Sequence, residues 1–291
     1  MTNDNYIIRQ MVNIDEVRFA INLARVEGWN PGIHDAESFY TADPNGFRIG
    51  LLNGIPISCI STVRYGDSYG FLGLYIVKPK YRKKKYGVRI WNEGLKYLDG
   101  RDVGLDGVLQ QESDYMKSGF VTAYYNSRFE GKANRFIEPD LDPRIIELSR
   151  LRFEDLIAYD SMQFPVSRVA FLESWITRPQ SIGLGVLENG KLSGYAVLRR
   201  CFVGYKIGPL FADNEEIAEA LFQALSSRVR KGAKLFLDVP GEKENPAATA
   251  LARRHGMTKV FDTARMYRMA HATKMKLPLE RCFGVTSFEL G

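Results

Sequence analysis

The alternation of apolar and polar positions divides the chain into short strands and amphipathic helices, and their order repeats at about half its length. Leu51-Leu-Asn53-Gly54-Ile-Pro-Ile-Ser58 matches Leu187-Glu-Asn189-Gly190-Lys-Leu-Ser-Gly194. Both predict a strand, an Asn-Gly turn and a second strand, because Asn-Gly supplies the positive φ angles of a type I′ hairpin. An early helix is predicted over Ile14–Ala24. A helix over Val88–Leu98, with Val88, Ile90, Trp91, Leu95 and Leu98 on one stripe, corresponds to Ile217–Leu225, with Ile217, Leu221, Phe222 and Leu225. Gly119-Phe120 recurs as Gly256-Met257, each closing a short helix before a final hairpin. Asp106 is echoed by Asp238, each within an apolar strand.

Each half therefore reads as strand, helices, a three-strand meander, helix, strand, helix, strand. This predicts an α/β protein made of a duplicated unit of about 130 residues, an ordinary domain size. The units are expected at residues 1–135 and 136–291, joined through the polar stretch Gly131–Asp142 with Pro139, and Pro143 beyond it. The last stretch, Arg281–Gly291, carries Phe283, Val285, Phe288 and Leu290 in strand-like alternation. It is expected to add an edge strand or to cover a groove between the halves.

Composition narrows the class without setting the function. Of 291 residues, 45% are hydrophobic and 25% charged, as in ordinary globular chains. No run of about 18 apolar residues suits a membrane span, and the N-terminus lacks the basic-then-apolar layout of a signal peptide. Cys59, Cys201 and Cys282 have neither disulfide nor metal spacing, and His34, His255 and His271 are isolated. Buried free thiols, a cytoplasmic location and no metal are the expectations. The net charge of +6 resides in good part in Lys78–Lys85, a cluster suited to one phosphate-sized site and not to a long nucleic-acid stripe. Nothing in the sequence indicates an oligomeric state.

That cluster holds the most specific chemistry. Phe71–Val77 is apolar and strand-like, Lys78-Pro-Lys-Tyr-Arg82-Lys83-Lys84-Lys85-Tyr86-Gly87 is a basic turn, and a helix begins near Val88. Cations and free backbone N–H groups at a helix N-terminus attract an anion, and a pyrophosphate fits that description. Further on lies Tyr115-Met-Lys-Ser-Gly119-Phe120, a tyrosine on a short helix.

The strand, phosphate-suited turn and helix, followed by Tyr-x-x-x-Gly-Phe, resemble the GNAT N-acetyltransferase superfamily. Glu27–Gly32, Asn45-Gly46-Phe47, Asn126-Ser-Arg128-Phe129 and the closing Thr286–Gly291 extend the resemblance to the YitH-like tandem acyltransferases over most of the chain. The resemblance implies two tandem GNAT-like domains, each a mixed, mostly antiparallel sheet flanked by helices. It also implies transfer of an acetyl group from acetyl-CoA to a primary amine by direct attack in a ternary complex. Ile76 and Val77 would offer backbone groups to the pantetheine arm. Arg82, Lys83, Lys84, Lys85, Tyr86, Gly87 and Val88 would hold the pyrophosphate. Tyr115 would protonate the departing thiolate; a phenol with an ordinary pKa near 10 is protonated at neutral pH. Packing at an interface is the other use of such a ring.

The chain departs from the family pattern at two places. Arg82, Lys85 and Gly87 occupy the Arg/Gln-x-x-Gly-x-Gly/Ala positions, so Lys85 stands where the first glycine is usual; a lysine fits there if its φ is negative and its side chain folds outward. Gly73–Val77 also lacks the glutamate that some members use as a base, and Glu27, Asp35, Asp106, Glu112 or a water remain candidates. Glu27, Trp29 and Asn30, in a Gly/Pro-containing loop, are candidates for the acceptor site, with Trp29 suited equally to a pocket wall or a lid over its own core. In the second half the corresponding loop is acidic, from Asp213 to Glu216, and Ala252 takes the tyrosine position, so that half is expected to be chemically silent. The acceptor could be a small-molecule or a protein amine. The rival readings are a non-catalytic acyl-CoA sensor and, more remotely, a nucleic-acid module.

Overall fold

The computed structural model describes residues 5–133, 142–270 and 275–291. The expected boundary at 135/136, Pro139 and His271 lie outside the described residues. The first half runs β1 (Tyr6–Gln10), α1 (Ile14–Val26), α2 (Asp35–Ala42), β2 (Phe47–Leu52), β3 (Ile55–Tyr65), β4 (Tyr69–Val77), α3 (Tyr86–Tyr97), β5 (Asp102–Val108), α4 (Glu112–Lys117) and β6 (Val121–Lys132). The second half repeats the order: β7 (Ile145–Glu147), α5 (Phe153–Asp160), α6 (Val169–Thr177), β8 (Ser181–Glu188), β9 (Lys191–Arg200), β10 (Tyr205–Ala212), α7 (Glu215–Ser227), β11 (Lys234–Pro240), α8 (Pro246–Arg254) and β12 (Thr258–Arg268). A short β13 (Cys282–Gly284) follows.

Local chemistry accounts for many of these boundaries. Asn53-Gly54 (φ 50° and 80°) and Asn189-Gly190 (φ 51° and 76°) turn the β2–β3 and β8–β9 hairpins through positive φ, as a type I′ turn requires. Asn13 and Asn214 cap α1 and α7, each side chain accepting from the N–H three residues on, at 3.1 and 3.0 Å. The α3 stripe differs from expectation. The helix starts at Tyr86, which is buried with Ile90, Trp91 and Gly94, while Val88 is 51% exposed.

The strands form one continuous mixed sheet in the order β1-β2-β3-β4-β5-β12-β6-β11-β10-β9-β8-β7, with β13 added beside β10. Among the described residues the final hairpin expected in each half is absent. A single long strand stands there instead, and the two halves exchange them: β12 pairs with β5, and β6 with β11, while β6 and β12 pair with each other at the centre. Neither half completes its sheet alone. On one face α1, α2, α5 and α6 share a core that crosses between the halves, including Val17, Phe39, Leu156 and Trp175. The other helices cover separate cores, with Ile90, Trp91 and Phe120 under α3 and α4, and Ile217, Leu221 and Leu251 under α7 and α8. All three cysteines are buried free thiols. Among the described residues no helix is long and apolar enough to cross a membrane, and no group of His, Cys, Asp and Glu could hold a metal ion.

Candidate active site

β4 runs parallel to β5 only from Tyr69↔Asp102 to Leu72↔Leu105, and no further pair forms between them. On its other edge β4 stays paired with β3 through a bulge between Gly73 and Ile76, within which Leu74 has φ 45°. Gly73–Val77 thus borders an opening between strands, and the opening belongs to a cavity of about 400 Å³. An unpaired strand edge offers backbone donors and acceptors to an extended ligand.

The basic turn lies at one end of this edge. Lys83 (φ 60°) and Lys85 (φ 65°) are both left-handed, and Lys85 precedes the first turn of α3. Lys85 therefore does not meet the condition of a negative φ; it keeps a glycine-like backbone despite its side chain. Left-handed residues at alternate positions suit a backbone nest for an anion. Gly87 permits close approach, since a Cβ there would meet the Tyr75 hydroxyl at 2.7 Å. Arg82 donates through Nε to the Val77 carbonyl at 2.8 Å and through Nη2 to Glu27. Ile76, Val77, Arg82, Lys83 and Gly87 all line the cavity. Lys84 and Lys85 are exposed on the turn, and Val88 is exposed on α3; none of these lines it. Tyr86 is also outside the lining, buried with its ring centroid 4.7 Å from that of Tyr6.

Tyr115 lines the same cavity from α4. Its ring stacks on Trp91 at 5.3 Å and covers Gly107, where a Cβ would fall 2.3 Å from Tyr115 Cε2. Burial raises the phenol's pKa well above its ordinary value, with smaller contributions from Tyr75 and Asp114, so the hydroxyl remains a proton donor throughout the physiological range.

Of the acceptor candidates, Glu27 and Trp29 line the cavity and Asn30 does not. The Asn30 side chain joins the halves, donating to the Val203 carbonyl and accepting from the Val203 N–H, both at 2.9 Å. The base candidates are largely engaged. Asp35 is fully buried, 2.7 Å from Arg178 Nη1, and accepts from the Gly32 N–H. Glu112 accepts from Thr122 and Tyr125. Asp106 lines the cavity, yet Arg265 donates to both its oxygens and Asn126 to one of them. Burial raises the Asp106 pKa while Arg265 opposes the rise.

Sequence reasoning missed several wall residues. Arg128, Phe261 and Thr263 come from the central exchanged strands, and Phe288 and Glu289 from the final segment. That segment lies between the halves, as one of its expected placements had it. Its Glu289 backbone packs against Gly73, where a Cβ would meet the Glu289 carbonyl oxygen at 2.1 Å.

The second half has the same splay with a different occupant. β10 and β11 pair only from Tyr205↔Leu235 to Ile207↔Leu237. Beyond that point β13 enters the opening, pairing Leu210↔Gly284 and Phe211↔Cys282, and the Val285 N–H donates to the Asp238 carbonyl at 2.8 Å. Asn214 caps α7 with Glu215 and Glu216 in its first turn, and Ala252 is buried at the tyrosine position. The chain's own backbone fills the cleft that remains open in the first half.

Comparison with known proteins agrees with this duplicated geometry. Residues 12–118 match the model of the Acetyltransferase (GNAT) family, and residues 156–284 that of an Acetyltransferase (GNAT) domain. A holothin acyltransferase from Pseudoalteromonas sp. (strain SANK 73390) is 30% identical over 96% of this chain and 92% of its own. The uncharacterised N-acetyltransferase YitH of Bacillus subtilis (strain 168) is 24% identical over 66% of this chain and 67% of its own. Among solved structures, a proposed acetyltransferase from Pyrococcus horikoshii superposes with a TM-score of 0.80 at 20% identity, covering 98% of this chain and 96% of that one. With one such unit in each half and a relative similar along nearly its whole length, the chain belongs to the GNAT acyltransferase family as a tandem-domain member.

Proposed function

We propose that the first half transfers an acetyl group from acetyl-CoA to a primary amine by direct attack, and that it does so in the cytoplasm. The observation that carries this reading is the continuity of a single cavity with the basic turn, the unpaired edge of β4 and Tyr115. In this reading Arg82 to Val88 receive the pyrophosphate, through backbone N–H groups and the α3 N-terminus as much as through side chains. Backbone groups near Ile76 and Val77 pair with pantetheine. Tyr115 gives its proton to the coenzyme sulfur, and a neutral phenol in a buried site suits that step. Glu27 and Trp29 border the acceptor. Glu27, Asp106 and Glu289 share the wall with Arg82, Lys83 and Arg128, so the lining presents both signs of charge to an acceptor. The holothin acyltransferase relative supports acyl transfer by a chain of this organisation.

Thiol release from acetyl-CoA, followed against a panel of small primary amines and lysine-containing peptides, tests the proposal. Acetylated product with stoichiometric thiol is the expected result. Tight coenzyme binding without thiol release would favour the sensor reading. Absence of binding, with competition by nucleic acid for the basic turn, would overturn acyl transfer altogether.

A further inference from the structure

Acyl transfer to an amine needs a group to take the ammonium proton, because a primary amine with a pKa near that of lysine is almost wholly protonated at pH 7. The carboxylates that the sequence suggested are engaged: Glu27 by Arg82, Asp35 by Arg178 and the Gly32 N–H, Asp106 by Arg265 and Asn126, and Glu112 by the Thr122 and Tyr125 hydroxyls. One carboxylate in the cavity wall is not so engaged. Glu289 is only 4% exposed, it lines the cavity, and its Oε2 is buried without a hydrogen-bond partner. A buried, unpartnered carboxylate oxygen costs stability, and such a group calls for an explanation.

The route by which Glu289 arrives supplies one. β13 sits in the second half's cleft, and the chain then crosses to the first half with anchors along its length. The Thr286 hydroxyl accepts from Arg168 Nη2 at 2.9 Å, and Arg168 is itself held by Asp160 at 2.8 and 2.9 Å. The Leu290 carbonyl accepts from the Tyr65 hydroxyl at 3.1 Å, and the Gly291 carbonyl from Arg168 Nη1 at 3.3 Å. Between these anchors the Glu289 backbone occupies the space that a side chain at position 73 of β4 would otherwise fill. Gly73 begins the β4 stretch that has no glutamate of its own.

We propose that Glu289, delivered by the final segment through the second half's filled cleft, is the general base of the first half's acyl transfer. This rests on the acyltransferase reading above. The Glu289 carboxylate takes one proton from R–NH3+, and the freed nitrogen lone pair forms the C–N bond to the acyl carbon of the acyl-CoA thioester. The C–S bond breaks with its electron pair on sulfur, which takes the Tyr115 proton. The surplus proton on nitrogen returns to the Tyr115 phenolate, and Glu289 releases its own to solvent. The net products are amide, coenzyme thiol and one proton.

The surroundings make Glu289 a better proton acceptor than an ordinary glutamate. Burial raises the Glu289 pKa above the ordinary glutamate value, opposed by Lys206 of β10, Arg128 of β6 and Arg199 of β9, and reinforced by Asp35 of α2. Glu27 and Asp106 face the same cavity. The second half thereby acquires a part in the reaction without binding a coenzyme, since its cleft is the socket of the segment that carries the base.

The test compares the full-length chain with Glu289→Gln and Glu289→Asp. Acetyl-CoA affinity is measured by calorimetry, and thiol release with the amine panel and with water alone from pH 5.5 to 10. The expected result is acetyl-CoA affinity unchanged in Glu289→Gln and kcat down by about 10²-fold or more at pH 7. The lost rate should return as pH approaches the acceptor's own pKa, with Glu289→Asp intermediate. A Glu289→Gln variant with wild-type kcat and an unshifted pH profile would overturn the assignment while leaving the acyltransferase reading intact. A parallel loss of coenzyme affinity and rate, with no recovery at high pH, would make Glu289 structural and equally overturn it. If the unaltered protein neither binds acetyl-CoA nor releases thiol, the acyltransferase reading fails, and the assignment falls with it.

Discussion

Arg265 reaches Asp106 across the exchanged sheet, with Nε–Oδ1 and Nη2–Oδ2 hydrogen bonds of 2.8 and 2.6 Å. Arg128 grips Asp238 in the mirrored arrangement, at 2.6 and 2.7 Å. Each pair links a half's fifth strand to the long strand supplied by the other half. Both are buried and bidentate, so each fixes register as well as charge.

Removing one partner leaves an unpaired buried charge. Arg265→Met should therefore cost about 3–5 kcal/mol, read as a lower urea midpoint. The two halves should still unfold in one transition, because neither has a complete sheet of its own. Asp106→Leu combined with Arg265→Met should recover most of the loss, since no charge is then stranded. Two separated transitions in the unaltered protein would contradict the exchange.

Two of the buried carboxylates, Asp238 and Glu289, should give pH effects of opposite sign. Burial alone would raise the Asp238 pKa, but Arg128 and Lys206 outweigh it and hold the group at about 2. Its folded value lies below the unfolded value of about 3.9, so its contribution is present above pH ~4 and is lost as pH falls through ~2. Asp238→Asn should flatten the dependence of Tm on pH in that window. Glu289 has a raised folded pKa, so its ionisation weakens the fold as pH rises. Glu289→Gln should accordingly gain stability relative to the unaltered protein as pH rises above about 4.3, the ordinary glutamate value, with the Tm difference levelling off once the folded group has ionised.

Tyr115→Phe should lower kcat by about 10²-fold while acetyl-CoA affinity holds, because the ring's contacts with Trp91 and Gly107 do not need the hydroxyl. With the phenol's pKa pushed up by burial, the unaltered protein should show no basic limb from this group below pH 10. Equal loss of affinity and rate would instead indicate a packing role.

Gly73 and Gly107 are expected to be sensitive through space, not φ. Gly107→Ala places a Cβ 2.3 Å from the Tyr115 ring, and Gly73→Ala places one 2.1 Å from the Glu289 carbonyl oxygen. Each should reduce kcat at least about tenfold with the fold retained, since a catalytic group moved by an ångström loses much of its effect. Circular dichroism beside the transfer assay separates displacement from unfolding.

Much of this organisation was legible in the sequence because it is local. Asn53-Gly54 and Asn189-Gly190 announce hairpins by their turn chemistry, and the Arg82–Gly87 turn announces an anion site by its place between strand and helix. The strand exchange was not legible. The alternation in Val121–Lys132 is the same whichever strand lies beside it, so nothing local separates a hairpin from an exchange. Asp106 and Asp238 were noticed as echoes, but Arg128 and Arg265, seven residues beyond Val121 and Thr258, were not read as their partners. Glu289 escaped notice because it sits in a short strand-like run, and its surroundings come from α2, β6, β9 and β10, far away along the chain. The backbone of Lys85 was not legible either, because sequence alone does not reveal that a lysine adopts the αL conformation which surrounding structure imposes there.

The measurement that bears most directly on the account is calorimetric titration of the full-length chain with acetyl-CoA, repeated with Arg82→Ala/Lys85→Ala at matched salt. The account predicts one coenzyme per chain, weakened or lost in the double variant, because the first cleft is open and β13 fills the second. Two coenzymes per chain would contradict the assignment of the second half as a filled and silent site, and no binding would contradict the function proposed for the first.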